Sequence, residues 1–468
     1  MLVHFKDISK KMKEEPMEGV INEDESSETS DDESMEEGEK ANESQEEAES
    51  RVYLPGQALQ KGEELVVDKS AYKLLHHAQS GAPCLSFDVI PDNLGNSRES
   101  YPLSMYIVAG TQAAKANINN LLVMKMSNLR ANKYSEDSET ESSDSEDEDE
   151  DRKPVMSVAP IKHQGCINRV RCTKFGGAIL AASWSELGRV NIWNLQEQLN
   201  AVENHSLLTQ YRNKCDKASA GIKPLYAFKG HLSEGFGLDW SHMELGTLAS
   251  GDCKGNIHIW RIDSSGASWH VDQRPYNSHA PHSVEDLQWS PSEKNVLASC
   301  SVDKSIKIWD TRASPQNACM LMTPDAHTSD VNVISWNPKE SQFMVSGGDD
   351  GLLHVWDLRQ FGSNDTTPVA TFKQHTAPIT TVEWHPTEAT VFASGGADDQ
   401  IAQWDLSVEA DHTEEQPQDS VLAKLPPQLL FIHQGQSDIK ELHWHSQCPG
   451  TMISTAHSGF NIFRTISV

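Results

Sequence analysis

Short apolar runs, each flanked by small and acidic turn residues, recur in a fixed order along this chain. The clearest copies are SGGDDGLLHVWDLR (346–359), ASCSVDKSIKIWDTR (298–312) and ASGGADDQIAQWDLS (393–407). Each reads as a strand of small residues, a tight acidic turn, and an apolar strand ending in Trp-Asp. A further strand closing on Pro lies upstream (VNVISWNP, ITTVEWHP, VEDLQWSP). Another short apolar run, such as VATF (369–372) or LLFI (429–432), precedes the next histidine. The pattern predicts four short strands per period, with turn residues between them.

The period is marked by a histidine and, about thirty residues on, an aromatic that ends a strand. The pairs are His163/Trp193, His231/Trp260, His279/Trp309, His327/Trp356, His375/Trp404 and His433/Phe463. Successive members of the set His231, His279, His327 and His375 are 48 residues apart. A fixed step of this size predicts a repeat architecture, in which one unit cannot bury its own apolar faces and neighbours must stack.

These strings resemble the WD-repeat family. The resemblance implies an all-β fold, a seven-bladed WD-repeat β-propeller with four-stranded blades around a channel. Six blades carry the histidine pattern; the seventh is read at 85–126 from LSFDV, MYIVAGTQ and NLLVMKM. The resemblance also implies a hydrogen-bonded network inside each blade. It joins histidines such as His231, His327 and His375 to turn aspartates (Asp303, Asp350, Asp398) and strand-end tryptophans (Trp260, Trp309, Trp356, Trp404). Those residues are expected to be architectural. Leu187, Lys254 and His457 stand at the turn position in three blades, so these are expected to hold their turns less firmly. The strand that closes the ring is expected from the N-terminal side, at 51–54 or 64–67.

Charge changes the picture. The chain of 468 residues has a formal net charge of −30. Residues 14–49 hold 17 acidic side chains and one lysine, and residues 136–151 hold 11 acidic side chains and no basic one. The propeller is therefore nearly neutral. The acidic segments have too few apolar residues to repay the entropy of folding, and blocks of like charge are commonly disordered interaction tails. The expected organisation is a disordered acidic tail at 1–50, a strand and helix region at 51–83, and the propeller at 84–468. A disordered acidic insertion at 133–154 is placed between blades one and two, and an acidic loop at 407–424. Polyanionic strips favour a cationic partner and weaken with salt; they argue against direct DNA or RNA binding. Ser30, Ser34, Ser138, Ser143 and Ser145 lie just upstream of acids and suit an acid-directed kinase, whose phosphates would deepen the field.

No apolar run approaches the length of a bilayer span, so no membrane role is expected, and the start lacks the apolar core of a secretory signal. The eight cysteines are scattered without a CxxC pair and read as reduced thiols of an intracellular protein. The histidines lack metal-ligand spacing, and the Ser, His and Asp residues are explained by the repeat. No catalytic residue, cofactor or metal is expected.

Two regions narrow the resemblance: EELVVDKSAYKLLHHAQSGAPCLSFDV (63–89) and LPPQLLFIHQGQSDIKELHWH (425–445). In the first, Asp68 or Ser70 is expected to cap a helix running to about Gln79. Both regions look like the histone-binding branch of the WD-repeat proteins, and the Glu-rich head and the terminal TAHSGFNIFRTIS fit its ribosome-assembly subgroup. That resemblance implies a client groove between the N-terminal helix and the acidic loop of blade six. Leu74, Leu75, Leu429 and Phe431 would offer apolar contacts beside Pro426 and Pro427, and Glu414, Glu415 and Asp419 would pair with Lys or Arg of a basic helix. Relatives tend to place acids directly before the Pro-Pro, whereas 421–425 intervenes here and includes Lys424.

The leading expectation is an acidic escort and scaffold of the nucleus and nucleolus for basic clients, a large-subunit ribosomal protein or histones, acting with pre-ribosomal particles. A histone chaperone on chromatin is the first alternative. A substrate receptor of a cullin-RING ubiquitin ligase is the second, through an adaptor that would read Arg312 and Arg359 in WDTR and WDLR.

Overall fold

Each copy of the repeat folds as a four-stranded antiparallel meander, and seven such sheets are present. The computed structural model describes residues 3–7, 63–132, 153–217, 221–263, 268–362, 366–409 and 425–468. Blade 4 is representative: Val284–Trp289, Val296–Ser301, Ile306–Asp310 and Cys319–Thr323. The first strands of successive blades adjoin one another, and that of blade 7, Ile439–Trp444, meets that of blade 1, Cys84–Ile90. The ring is therefore closed.

Small residues in the second strands have a packing cause. A Cβ on Gly347 would stand 2.4 Å from Cγ2 of Ile379 in the next blade, so only glycine lets the two sheets approach. Trp184, Trp240, Trp260, Trp309, Trp356 and Trp404 are among the largest fully buried side chains. Each indole removes roughly 200 Å² from water, on the order of 5 kcal/mol before entropy.

A second set of bonds stitches blade to blade. The residue before the tryptophan of one first strand accepts the tryptophan backbone N–H of the next. Asp239 accepts from Trp289 at 2.7 Å and Glu383 from Trp444 at 3.0 Å; Ser335 accepts from Trp384 at 3.1 Å, and Gln288 takes the same role for Trp336. The indoles reinforce this: Nε1 of Trp240, Trp289 and Trp384 donates to the carbonyls of Arg171, Asp239 and Ser335 at 3.0–3.1 Å.

Blade 7 is completed from the opposite end of the chain. Tyr72–Ala78 pairs antiparallel with Gly459–Thr465, with Leu75 opposite Phe463. This corrects two expectations. The segment expected as a helix to Gln79 is a three-residue 3-10 turn, Lys69–Ala71, followed by this strand. The closing strand is neither of the two expected segments: Glu63–Val67 pairs instead with Val3–Asp7, with Val3 opposite Val67, and 51–54 lies outside the described residues. The two strands Val3–Asp7 and Glu63–Val67 belong to a separate unit, Leu2–Asp68.

Blade 1 consists of Cys84–Ile90, Leu103–Thr111, Asn120–Leu129 and Val155–Lys162. The acidic insertion thus lies inside blade 1, between its third and fourth strands, and not between blades 1 and 2. Two helices follow the third strand of blade 2, α1 (Gln196–Ala201) and α2 (His205–Lys217). They cover the free edge of Val155–Lys162: Tyr211 and Arg212 of α2 donate to the carbonyls of Pro160 and Val158 at 2.7 and 3.3 Å. Covering an exposed edge strand prevents its pairing with other chains.

All eight cysteines are unpaired. Among the described residues no group of His, Cys, Asp or Glu is arranged to hold a metal ion, and no helix is long and apolar enough to cross a membrane.

Candidate client-binding surface

In blades 3 to 6 the repeat residues form one continuous hydrogen-bond chain per blade. In blade 5, His327 Nδ1 lies 3.0 Å from Asp350, His327 Nε2 lies 2.8 Å from Ser346 Oγ, and Trp356 Nε1 lies 2.8 Å from the same hydroxyl. An ionised aspartate only accepts, so the imidazole carries its proton on Nδ1. Its Nε2 then accepts the serine O–H, and the serine oxygen accepts the indole N–H. The same chain links His279, Asp303, Ser299 and Trp309, and His375, Asp398, Ser394 and Trp404. Burial pushes His327 below its ordinary pKa. Burial alone would raise Asp350 and Asp398, but the histidine bond and neighbouring amides hold both below the usual carboxylate range. The histidine, serine and tryptophan of each chain are buried, and Asp303 and Asp350 are partly buried at the turn.

Blade 3 corrects the expectation of a loose turn. Lys254 occupies the expected position, but Asp252, two residues earlier, reaches His231 Nδ1 at 2.9 Å and also accepts the backbone N–H groups of Lys254 and Asn256 at 2.9 Å. Blade 2 has no such acid: His163 Nδ1 meets the carbonyl of Gly165 at 3.0 Å. In blade 7, Tyr72 Oη occupies the place of the aspartate, 2.8 Å from His433 Nδ1, and Asn461 donates to Nε2 at 3.0 Å. Phe463 replaces the tryptophan and stacks on His433 at 4.1 Å between ring centroids.

The expected groove does not form as an apolar helix face opposite a loop. Leu74 is fully buried in the cluster shared by blades 7 and 1, with Phe87, Met105, Ile453 and Phe460. Phe431 is buried too, with its ring edge-on to Tyr72 at 5.3 Å. Leu74 is core because a strand at 72–78 turns alternate side chains into the sheet packing, and Phe431 is buried on another strand, Leu429–His433. Leu75 and Leu429 are half-buried, and Leu429 packs on the cluster between blades 5 and 6. Pro426 is half-buried and Pro427 exposed at the base of the acidic loop. That base is clasped: Gln428 Nε2 donates to the carbonyl of Val408 at 2.9 Å. Glu414, Glu415 and Asp419 lie outside the described residues, as do Ser30, Ser34, Ser138, Ser143 and Ser145.

Arg312 and Arg359 occupy equivalent exposed corners of blades 4 and 5. Their side chains are 72% and 69% exposed. Each is gripped by the aspartate two residues earlier: Arg312 Nη2 lies 2.6 Å from Asp310, and Arg359 Nη2 lies 2.5 Å from Asp357. A bidentate pair fixes the guanidinium plane while leaving its outer face free.

Sequence reading missed a buried charge cluster between blades 7, 1 and 2. Glu441 accepts from Arg169 at 2.7 Å, Arg171 at 2.8 Å, and Ser86 Oγ and the Phe87 N–H at 2.7 Å. His443 lies 3.0 Å from Glu383 and 3.6 Å from Glu441. Burial alone would lower His443, but Glu383 and Glu441 push it up to about 10. The signal available was the polar residue embedded in each apolar first strand.

Comparison with known proteins agrees with this architecture. Residues 62–130 match the family of histone-binding protein RBBP4, which is also that of a component of the CAF1 complex. Residues 273–310, 319–357 and 366–405 match the WD domain, G-beta repeat. The ribosome assembly protein rrb1 of Schizosaccharomyces pombe is 42% identical over 89% of this chain and 84% of its own length. The glutamate-rich WD repeat-containing protein 1 of Dictyostelium discoideum is 48% identical over 87% and 83%. The Arabidopsis thaliana protein HEAT STRESS TOLERANT DWD 1 is 42% identical over 89% and 92%. With a seven-bladed ring and this identity across nearly its whole length, the chain belongs to the glutamate-rich WD-repeat family that includes the ribosome assembly protein rrb1.

Proposed function

We propose that this chain serves ribosome assembly in the nucleus and nucleolus, as an acidic escort and scaffold for highly basic clients. The observation that carries the reading is the separation of charge: nearly all of the −30 sits in residues 14–49 and 136–151. A relative named for ribosome assembly, similar along most of the chain, supplies the process. The client by this reading is a large-subunit ribosomal protein or a histone. The strips imitate the polyanion the client will later meet, and rRNA, with its higher charge density, displaces them. The match of 62–130 to a histone-binding family supports histones as a second client of the same surface. In place of the helix-lined groove, the surface proposed is Leu75, Pro426, Pro427 and Leu429, with Glu414, Glu415 and Asp419 as the acids that would pair with Lys or Arg.

The test is affinity purification of the full chain and of a chain lacking 14–49 and 136–151, across a salt series. Basic proteins should co-purify with the full chain and weaken steeply with salt and on deletion. Equal recovery without the strips overturns the reading.

A ligase-adaptor contact is supported by one observation, the rigid exposed corners at Arg312 and Arg359. Arg312→Ala with Arg359→Ala should abolish adaptor pull-down and spare basic clients; retained adaptor binding removes this reading.

A further inference from the structure

A cationic pit stands apart from everything above. It lies at the outer edge of blade 2, where the fourth strand is only Tyr226–Phe228, and it encloses about 720 Å³. Lys162, Arg189, Lys223 and Lys229 line it, and no aspartate or glutamate does. Among the described residues none of the four makes an ion pair, whereas Arg274, Arg312 and Arg359 are each held by a carboxylate. The amides of Asn117, Gln164 and Asn191 also line the pit. Gln164 accepts a long bond from Arg189 at 3.4 Å, and Asn191 lies 3.4 Å from His163 at the floor. The missing acid has a local cause: Leu187 stands at the turn position of this blade. Glu186, the nearest carboxylate in the turn, is turned away to accept the Cys166 N–H at 2.9 Å.

We propose that this pit binds a short acidic segment of a partner protein, with the four cations pairing its carboxylates and the amides holding its backbone. Four cations without a carboxylate around a concavity resemble the basic clusters that read acidic and phosphorylated motifs. The pit favours peptide over RNA for two reasons. Trp193 at its floor is only 4% exposed, so no aromatic face is offered for base stacking. The net charge of −30 repels a long phosphate backbone, while a short segment can enter one local site. The site is independent of the basic-client reading and would make the chain a two-sided adaptor, anionic in its strips and cationic at blade 2.

The test is fluorescence anisotropy of a fluorescein-labelled octaglutamate peptide with the full chain at low salt. Lys223→Glu with Lys229→Glu should weaken binding by about tenfold or more. Lys223→Arg with Lys229→Arg should retain it, and the control Lys339→Glu with Lys373→Glu, at exposed positions on other loops, should leave it unchanged. The proposal is overturned if the wild-type chain does not bind the peptide, if the control weakens binding equally, or if an oligouridylate of equal charge displaces the peptide better than unlabelled octaglutamate does. Recovery of basic clients should be the same in all variants, which separates this result from the test of the escort role.

Discussion

Tyr72 Oη stands 2.8 Å from Nδ1 of His433, in the place that an aspartate fills beside the histidines of blades 3 to 6. One residue therefore both starts the closing strand and completes the polar core of the last blade. Replacing it by phenylalanine keeps the ring packed on Phe431 and removes only the hydroxyl. Tyr72→Phe should lower unfolding free energy by about 1–3 kcal/mol, the cost of an unpaired buried group. Urea titration checks this, and an unchanged midpoint would show that His433 needs no partner there.

Asp252 and Asp350 do the same work from different turn positions. Asp252→Ala and Asp350→Ala should each cost about 1–3 kcal/mol by leaving a histidine and backbone donors unpaired. Calorimetry of the two variants tests the equivalence. A much milder loss for Asp252 would restore the looser turn that the sequence suggests.

Glu441 pairs with both Arg169 and Arg171, at 2.7 and 2.8 Å. Glu441→Gln should be severe, about 3–5 kcal/mol, because it strands buried charges. His443 carries the opposite sign of pH dependence from most histidines here. Its folded pKa is raised, so its stabilisation is complete below the unfolded value of about 6.5 and is lost as pH rises through about 10. His443→Asn should flatten the alkaline limb of the stability profile; an unaltered limb would place the titration elsewhere.

His433 is one of the buried histidines through which acid should destabilise the fold. Burial, with His77 nearby, pulls it down to about 3, so it stays neutral in the fold. A depressed histidine stabilises fully above its unfolded value and loses that contribution as pH falls from about 6.5 toward the folded value. Between pH 6.5 and 5 this group alone should cost about 2 kcal/mol. Denaturant midpoints of wild type and His433→Gln at both pH values test it: the variant should show the smaller difference.

The ring and its His-Asp-Trp chains were readable because the repeat places His327, Asp350 and Trp356 at constant spacing. Asp252 escaped notice because its turn carries the acid two residues early. The closing strand failed for a different reason. YKLLHHA is seven residues long, and its apolar positions fit both a helix and a strand; what decides is a partner strand, Gly459–Thr465, far away in sequence. With the helix went the groove, since Leu74 on a strand points into blade 1. The blade-to-blade bonds were hidden too, because Asp239 and Glu383 look like solvent-facing residues until the next sheet is in place.

A clasp made of residues 72–78 and 459–465 also dictates when the protein can finish folding during synthesis. At roughly 5–20 residues per second, the early strand must wait on the order of 20–80 s for its mate to be translated. Through that interval Leu74 and the face of blade 1 that packs on blade 7 have nothing to lie against, and six nascent blades present an unsealed flank. Such a seam invites strand exchange between neighbouring polysome products, so shielding this short N-terminal stretch is where a folding helper would matter most.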